Sequence, residues 1–197
     1  MKRIRTYDMA SRTDGVAATR ERIARAAMAL FLEHAFEDVT LAGIAEASGV
    51  SHQTVLNHFG SKEGLVLAVA ELFSQETERA RRPTRSGDVA AAVGALVGEY
   101  ERMGDANVRW AAAADRFPSL GEVLAIARVS HQAWIGDVFD ERLPTAAAPR
   151  RRAVNALHAA TDVFTWKLLR RDLSLSRQET EKSMTALVAG ILEGPTQ

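Results

Sequence analysis

His52, Gln53, Thr54, Asn57 and His58 crowd a stretch of seven residues with side chains that donate and accept hydrogen bonds. Several could reach base edges or phosphates, and Gln53 has the donor and acceptor that pair with adenine. A second set of chemistry-bearing residues lies further along the chain. His131, Asp115, Asp162 and His158 are the obvious acid–base candidates, and His158 with Asp162 has the i, i+4 spacing that puts both on one helix face. No phosphate-binding glycine loop, His-Glu-x-x-His metal helix or nucleophile elbow accompanies them, so the sequence reads as neither an enzyme nor a holder of a metal or cofactor. Tyr100, Met103, Trp110, Phe117, His131, Trp134, His158, Asp162 and Trp166 are instead candidates for lining a cavity between helices. Tryptophans at helical spacing also suit a plain core.

The elements that must position these groups are helical. Alanine is abundant and β-branched residues are sparse, which gives an all-α reading with about nine helices. Residues 1–15 carry Lys2, Arg3, Arg5 and Arg12 without amphipathic period and read as a basic, flexible arm. From about Val16 to His34, Ile23, Ala27, Leu30 and Phe31 mark one face of a helix. Two short helices follow, Leu41–Ser48 and His52–Phe59, around the turn Gly49-Val50-Ser51. Thr40 and Ser51 are placed to cap them and Gly49 to take the left-handed position between them. A pair this small must pack on the first long helix to be stable.

Ser61 opens a helix from Lys62 to about Arg82, and the breaker-rich run 81–87 ends it. Helices are then expected at Asp88–Met103, Asn107–Phe117, Leu120–Leu143, Arg150–Arg170 and Arg177–Leu192, with capping boxes at Ser119/Glu122 and Ser176/Glu179. Val154, Leu157, Thr161, Phe164 and Leu168 on one of the last two helices, and Met184, Leu187, Val188, Ile191 and Leu192 on the other, suit a four-helix dimer seam. The charged runs Pro149–Arg152 and Arg170–Asp172 read as solvated helix ends.

The 197 residues can bury a real core as one large domain or two parts, and 47% hydrophobic with 25% charged residues is ordinary for a soluble globular chain. Cysteine is absent, so no disulfide or thiolate site forms, and a reducing compartment is the natural setting. No apolar run approaches the ~20 residues of a membrane span, making the cytoplasm the expected location and a membrane partner unexpected. The formal net charge is zero, so any nucleic-acid footprint must be local.

A short helix, a glycine-containing turn and a second short helix form the arrangement that lays a recognition helix in the major groove. Here Thr19–Leu65 resembles the DNA-binding domain of the tetracycline-repressor (TetR) family. The matching positions are Thr19-Arg20, Ile23, Ala26-Ala27, Leu30-Phe31, Phe36, Val39-Thr40-Leu41, Ile44-Ala45, Ser48-Gly49-Val50-Ser51, Thr54, His58-Phe59, Ser61-Lys62-Glu63 and Leu65. Ala35 stands where the family usually has glycine, and Leu56 where it usually has a phosphate-touching tyrosine.

The resemblance implies three parts: the arm 1–15, a DNA-binding head 16–76 with the helix-turn-helix at 40–59, and a domain 77–197 for ligand binding and dimerisation. It implies phosphate contacts at Thr40, Thr54 and Lys62, beside a DNA-facing set of Ser51, His52, Gln53, Asn57 and His58. The partners it implies are a palindromic double-stranded operator, a second copy of the chain through its last two helices, and a small-molecule effector. Repression is the family default, and the aromatic candidates favour an apolar or aromatic effector. With no Lys or Arg on the recognition helix, electrostatic attraction is expected from Lys2, Arg3, Arg5, Arg12 and Arg20, with the arm entering a minor groove. A helical interaction protein or regulator without a small ligand is the alternative reading.

Overall fold

The computed structural model describes residues 9–81 and 87–194. Among them the chain is helical throughout and carries no strand, as the all-α reading expects. It divides into two compact units after Leu72, inside the fourth helix, where 76 was the expected boundary.

The first unit begins with α1 (Met9–Glu33). This helix starts before Val16, so the second half of the expected flexible arm is regular structure. Residues 9–14 contain no proline or glycine, and the one glycine, Gly15, weakens a helix by about 1 kcal/mol without breaking it. Residues 1–8, with Lys2, Arg3 and Arg5, lie outside the described residues. A 3₁₀ turn (Phe36–Asp38) leads into α2 (Leu41–Ser48), α3 (His52–Phe59) and α4 (Lys62–Arg81). Ile23, Phe31, Ile44, Val55 and Leu65 are fully buried, and Phe31 stacks on Phe36 with ring centroids 5.6 Å apart. Each such side chain contributes roughly 1.5–3 kcal/mol by burial, which is how helices of eight residues persist.

The second unit is organised around α5 (Val89–Ala113), which packs on α6 (Pro118–Phe139), α8 (Val163–Lys167) and α9 (Arg177–Glu193). α7 (Ala147–Thr161) packs on α6, α8 and α9. Val93, Leu96, Phe139, Leu157, Trp166, Met184 and Val188 form part of one continuous apolar cluster.

Five expectations are corrected in this unit. α5 is one helix where two were expected. Gly104 marks a close crossing, since a Cβ there would overlap the Trp166 ring. α6 starts on Phe117 with Pro118 in its first turn, and Ser119, the expected cap, is buried inside the helix. Proline suits that first position, since its fixed φ matches the helix and the amide hydrogen it lacks would have no partner inside the helix.

The expected helix Arg150–Arg170 is broken at Asp162, whose ψ of 150° leaves the helical region. The Asp162 carboxylate accepts the Phe164 N–H at 2.8 Å and restarts the chain as α8, a local bond that competes with the helical ladder. A π-helical turn, Leu168–Asp172, follows α8. Arg170 and Arg171 are not solvated ends: Arg170 pairs with Glu101 at 2.8 Å, and Arg171 grips both oxygens of Asp105. The seam list also separates. Leu157, Thr161, Met184 and Val188 are buried within the second unit itself, whereas Phe164, Leu168 and Leu187 are about half exposed. The cap at α9 is as expected, with the Ser176 hydroxyl accepting the Glu179 N–H.

Candidate nucleic-acid interface

Three local devices set the two short helices of the first unit. The Thr40 hydroxyl accepts the Gly43 N–H at 3.0 Å and starts α2. Gly49, at φ 66° and ψ 35°, ends it in the left-handed conformation that a side chain disfavours, and the Val50 N–H returns to the Ala45 carbonyl. The Ser51 hydroxyl accepts the Thr54 N–H at 3.1 Å and starts α3. Capping of this kind contributes about 1 kcal/mol per helix end.

α3 buries Val55 and turns His52, Gln53 and Asn57 outward, with Thr54, Leu56 and His58 partly covered. Gln53 donates through Nε2 to Asn57 Oδ1 at 3.0 Å, one helical turn on. Ser51 and Thr54 hydroxyls lie 2.8 Å apart, so both polar groups at the start of α3 are tied to its cap.

The cations near this face hold the unit together. Arg20 donates to the His58 carbonyl at 2.6 Å and lies 4.3 Å over the Phe59 ring, fixing the end of α3 to α1. Arg22 donates to the Ser48 carbonyl, fixing the end of α2, a role the sequence did not announce. Lys62 donates to the Phe36 carbonyl and sits over that ring at 4.1 Å. Burial lowers the Lys62 ammonium's pKa, against the opposing pull of Glu63, Glu37 and Asp38.

In the second unit, Arg81 pairs with Glu99 at 2.8 Å with both side chains buried, and Thr77 donates to the other carboxylate oxygen. Arg81 also reaches His131 Nδ1 at 3.2 Å. A guanidinium only donates, so Nδ1 accepts and the proton of neutral His131 sits on Nε2, 2.8 Å from the Thr161 hydroxyl. That hydroxyl donates onward to the Leu157 carbonyl. Burial, reinforced by Arg81 and His158, pushes the His131 pKa down to about 3.

His131 is stacked on Trp134 and meets His158 edge-on, with ring centroids 5.3 and 4.9 Å away. Trp134 Nε1 and His158 Nδ1 are buried without a hydrogen-bond partner. A cleft of about 500 Å³ is lined by Gln132, Asn155, His158, Asp162 and Phe164, among others. Of the nine cavity candidates, His158 and Asp162 line this cleft; His131 meets His158 edge-on, and Trp134 stacks on His131. Tyr100 and Trp166 belong to the apolar cluster, Met103 and Trp110 are buried, and Phe117 is the residue on which α6 starts. Among the described residues no group of acidic, histidine or cysteine side chains is arranged to hold a metal, and no helix is long and apolar enough to cross a membrane.

Residues 23–69 match the family model for bacterial regulatory proteins of the tetR family. Over this stretch the first unit is similar to tetR-family regulatory proteins. Over 55 residues the chain is 49% identical to the HTH-type transcriptional regulatory protein RaaS of Mycobacterium tuberculosis, covering 28% of this chain and 26% of that protein. Over 52 residues it is 40% identical to the HTH-type transcriptional repressor AcnR of Corynebacterium glutamicum, covering 26% of this chain and 28% of that one. The chain thus matches about a quarter of the length of these curated relatives, and these are regulators rather than enzymes.

The TetR-type fold extends over nearly the whole chain. A tetR-family transcriptional regulator from Streptomyces coelicolor superposes with a TM-score of 0.75 at 16% identity, covering 89% of this chain and 80% of that one. GusR of Salmonella enterica does so at 0.69 and 22%, covering 89% and 96%. SmeT, solved as a complex with triclosan, does so at 0.63 and 21%, covering 88% and 91%.

Proposed function

We propose that the protein is a transcriptional repressor that binds a palindromic operator as a homodimer and is released by a small-molecule effector. The outward face of α3 carries this reading: a doubly capped helix-turn-helix presents His52, Gln53 and Asn57 to solvent on a rigid support. Thr40, Ser51, Thr54, His58 and Lys62 flank that face, and their oxygens and nitrogens complete the contacts to phosphate while serving the caps and pins described above.

A single eight-residue helix reads too few base pairs for strong discrimination, and a two-fold dimer doubles the site. The half-exposed Phe164, Leu168, Leu173 and Leu187 on α8, the turn after it and α9 supply an apolar surface for that pairing. An effector fits the second unit because the cleft combines the polar side chains of Gln132, Asn155, His158 and Asp162 with the apolar ring of Phe164. SmeT, the fold relative in complex with triclosan, supports a small-molecule role for such a domain. An effector that releases DNA must bind the DNA-incompetent state more tightly.

Fluorescence anisotropy of the purified protein on the DNA upstream of its own gene, with unrelated DNA as competitor at near-physiological salt, tests this reading. Binding that survives competition supports it. Binding that unrelated DNA abolishes, followed by failure to enrich any sequence from a random pool, overturns it.

A further inference from the structure

We infer that Gln53 reads an adenine in each half-site and that Asn57 acts as a positioning residue, holding the Gln53 amide in the orientation that adenine requires. The inference rests on the DNA-binding reading above and adds the base that is read and the residue that enforces it. The two side chains lie one turn apart on the exposed face of α3, joined by the 3.0 Å bond from Gln53 Nε2 to Asn57 Oδ1.

An amide nitrogen carries two hydrogens. One is directed to Asn57, which leaves the other beside Oε1 as a donor–acceptor pair. Adenine offers the matching pair in the major groove, its N7 accepting and its N6 amino group donating. Guanine offers two acceptors there and would set Oε1 against O6. Left free, a glutamine side chain rotates about three bonds, and the bond to Asn57 removes much of that freedom before DNA arrives.

The neighbouring groups favour the same base. α3 contains no lysine or arginine, the side chains that most often read guanine. The nearby guanidinium of Arg20 is held by the His58 carbonyl and the Phe59 ring, and that of Arg22 by the Ser48 carbonyl. Ser51 and Thr54 are bonded to each other within the cap. The Gln53–Asn57 pair therefore presents a free acceptor and a free donor side by side on one amide.

Selection from random double-stranded DNA with the full chain, repeated with Gln53→Ala and Asn57→Ala, tests the inference. Both side chains are exposed, and unchanged thermal melting of each variant verifies that it folds. The selected half-sites should contain an A·T pair whose preference both variants lose. Replacing that adenine by 7-deazaadenine, which lacks the N7 acceptor, should weaken wild-type binding about tenfold and leave Gln53→Ala unaffected. Asn57→Ala should weaken binding to the selected site more than to random DNA, because it acts through a base-reading side chain.

Adenine preferences that persist in Gln53→Ala, or an Asn57→Ala loss that is equal on selected and random DNA, would overturn the inference alone. Failure of the wild-type chain to enrich any sequence would overturn the DNA-binding reading together with it.

Discussion

His131 is held neutral inside the second unit, and its titration can be read from outside. An unfolded histidine takes up a proton near pH 6.5, whereas this one does so at about 3, chiefly because burial penalises the charged ring. Between those values the unfolded chain binds one more proton than the folded one. The stabilisation from keeping this ring neutral is therefore complete above pH 6.5 and falls by about 1.4 kcal/mol per pH unit as the pH drops through the window toward 3. Denaturant midpoints measured from pH 7 to 4 should decline less steeply in His131→Gln than in the wild type. Equal slopes would mean that His131 is protonated freely in the folded chain. The tautomer has the same origin, since Arg81 can only donate to Nδ1. Little of this was readable beforehand: His131 was visible as a titratable group, but Arg81 and Glu99, fifty and thirty-two residues away in the chain, gave no local sign of converging on it.

Among the elements, α5 and α8 are matched by a missing side chain. Gly104 lies in the middle of α5 and looks in sequence like the end of a helix, yet the helix runs through it. The reason is tertiary: the fully buried Trp166 ring occupies the space where a Cβ would stand. Gly104→Ala should improve helix propensity and still lower stability by about 1–3 kcal/mol, because Trp166 must move or the helices must separate. Calorimetric melting reads the loss. A raised melting temperature would show that the crossing tolerates the methyl group.

Local chemistry predicted other boundaries well. Thr40, Ser51 and Ser176 cap the helices they precede, and Gly49 takes the left-handed position, since these preferences depend on a few neighbouring residues. Ser119 has the same pattern and does not cap, because Pro118 already starts α6 one residue earlier. Asp162 interrupts a stretch whose apolar periodicity continues through it, which shows periodicity giving way to a side-chain bond to the backbone.

For the whole molecule, the charge balance and the exposed apolar side chains lead to two expectations. The formal net charge is zero, α3 bears no cation, and Arg20, Arg22 and Lys62 are engaged in holding the first unit together. Attraction to DNA should therefore depend strongly on Lys2, Arg3, Arg5 and Arg12. Removing residues 1–12 should weaken binding and flatten its dependence on salt, and an unchanged salt slope would exclude them from the contact. Leu187, half exposed on α9, belongs to the proposed pairing surface, so Leu187→Glu should shift sedimentation toward the single chain without altering its helical content. A variant sedimenting like the wild type would place the dimer surface elsewhere.

By itself the sequence determined the all-α fold and the helix-turn-helix, with its caps, its turn and its outward polar face. Those features depend on propensities and spacings within a few turns, and the helix-turn-helix lies within residues 23–69, which match the tetR family model. The tertiary structure decided which apolar stripes became core and which stayed exposed, why α5 does not stop at Gly104, and how Arg81, Glu99, His131 and Thr161 share one buried network. Each of these depends on groups brought together from distant parts of the chain, where packing volume and the cost of an unpaired buried charge outweigh any preference that neighbouring residues express.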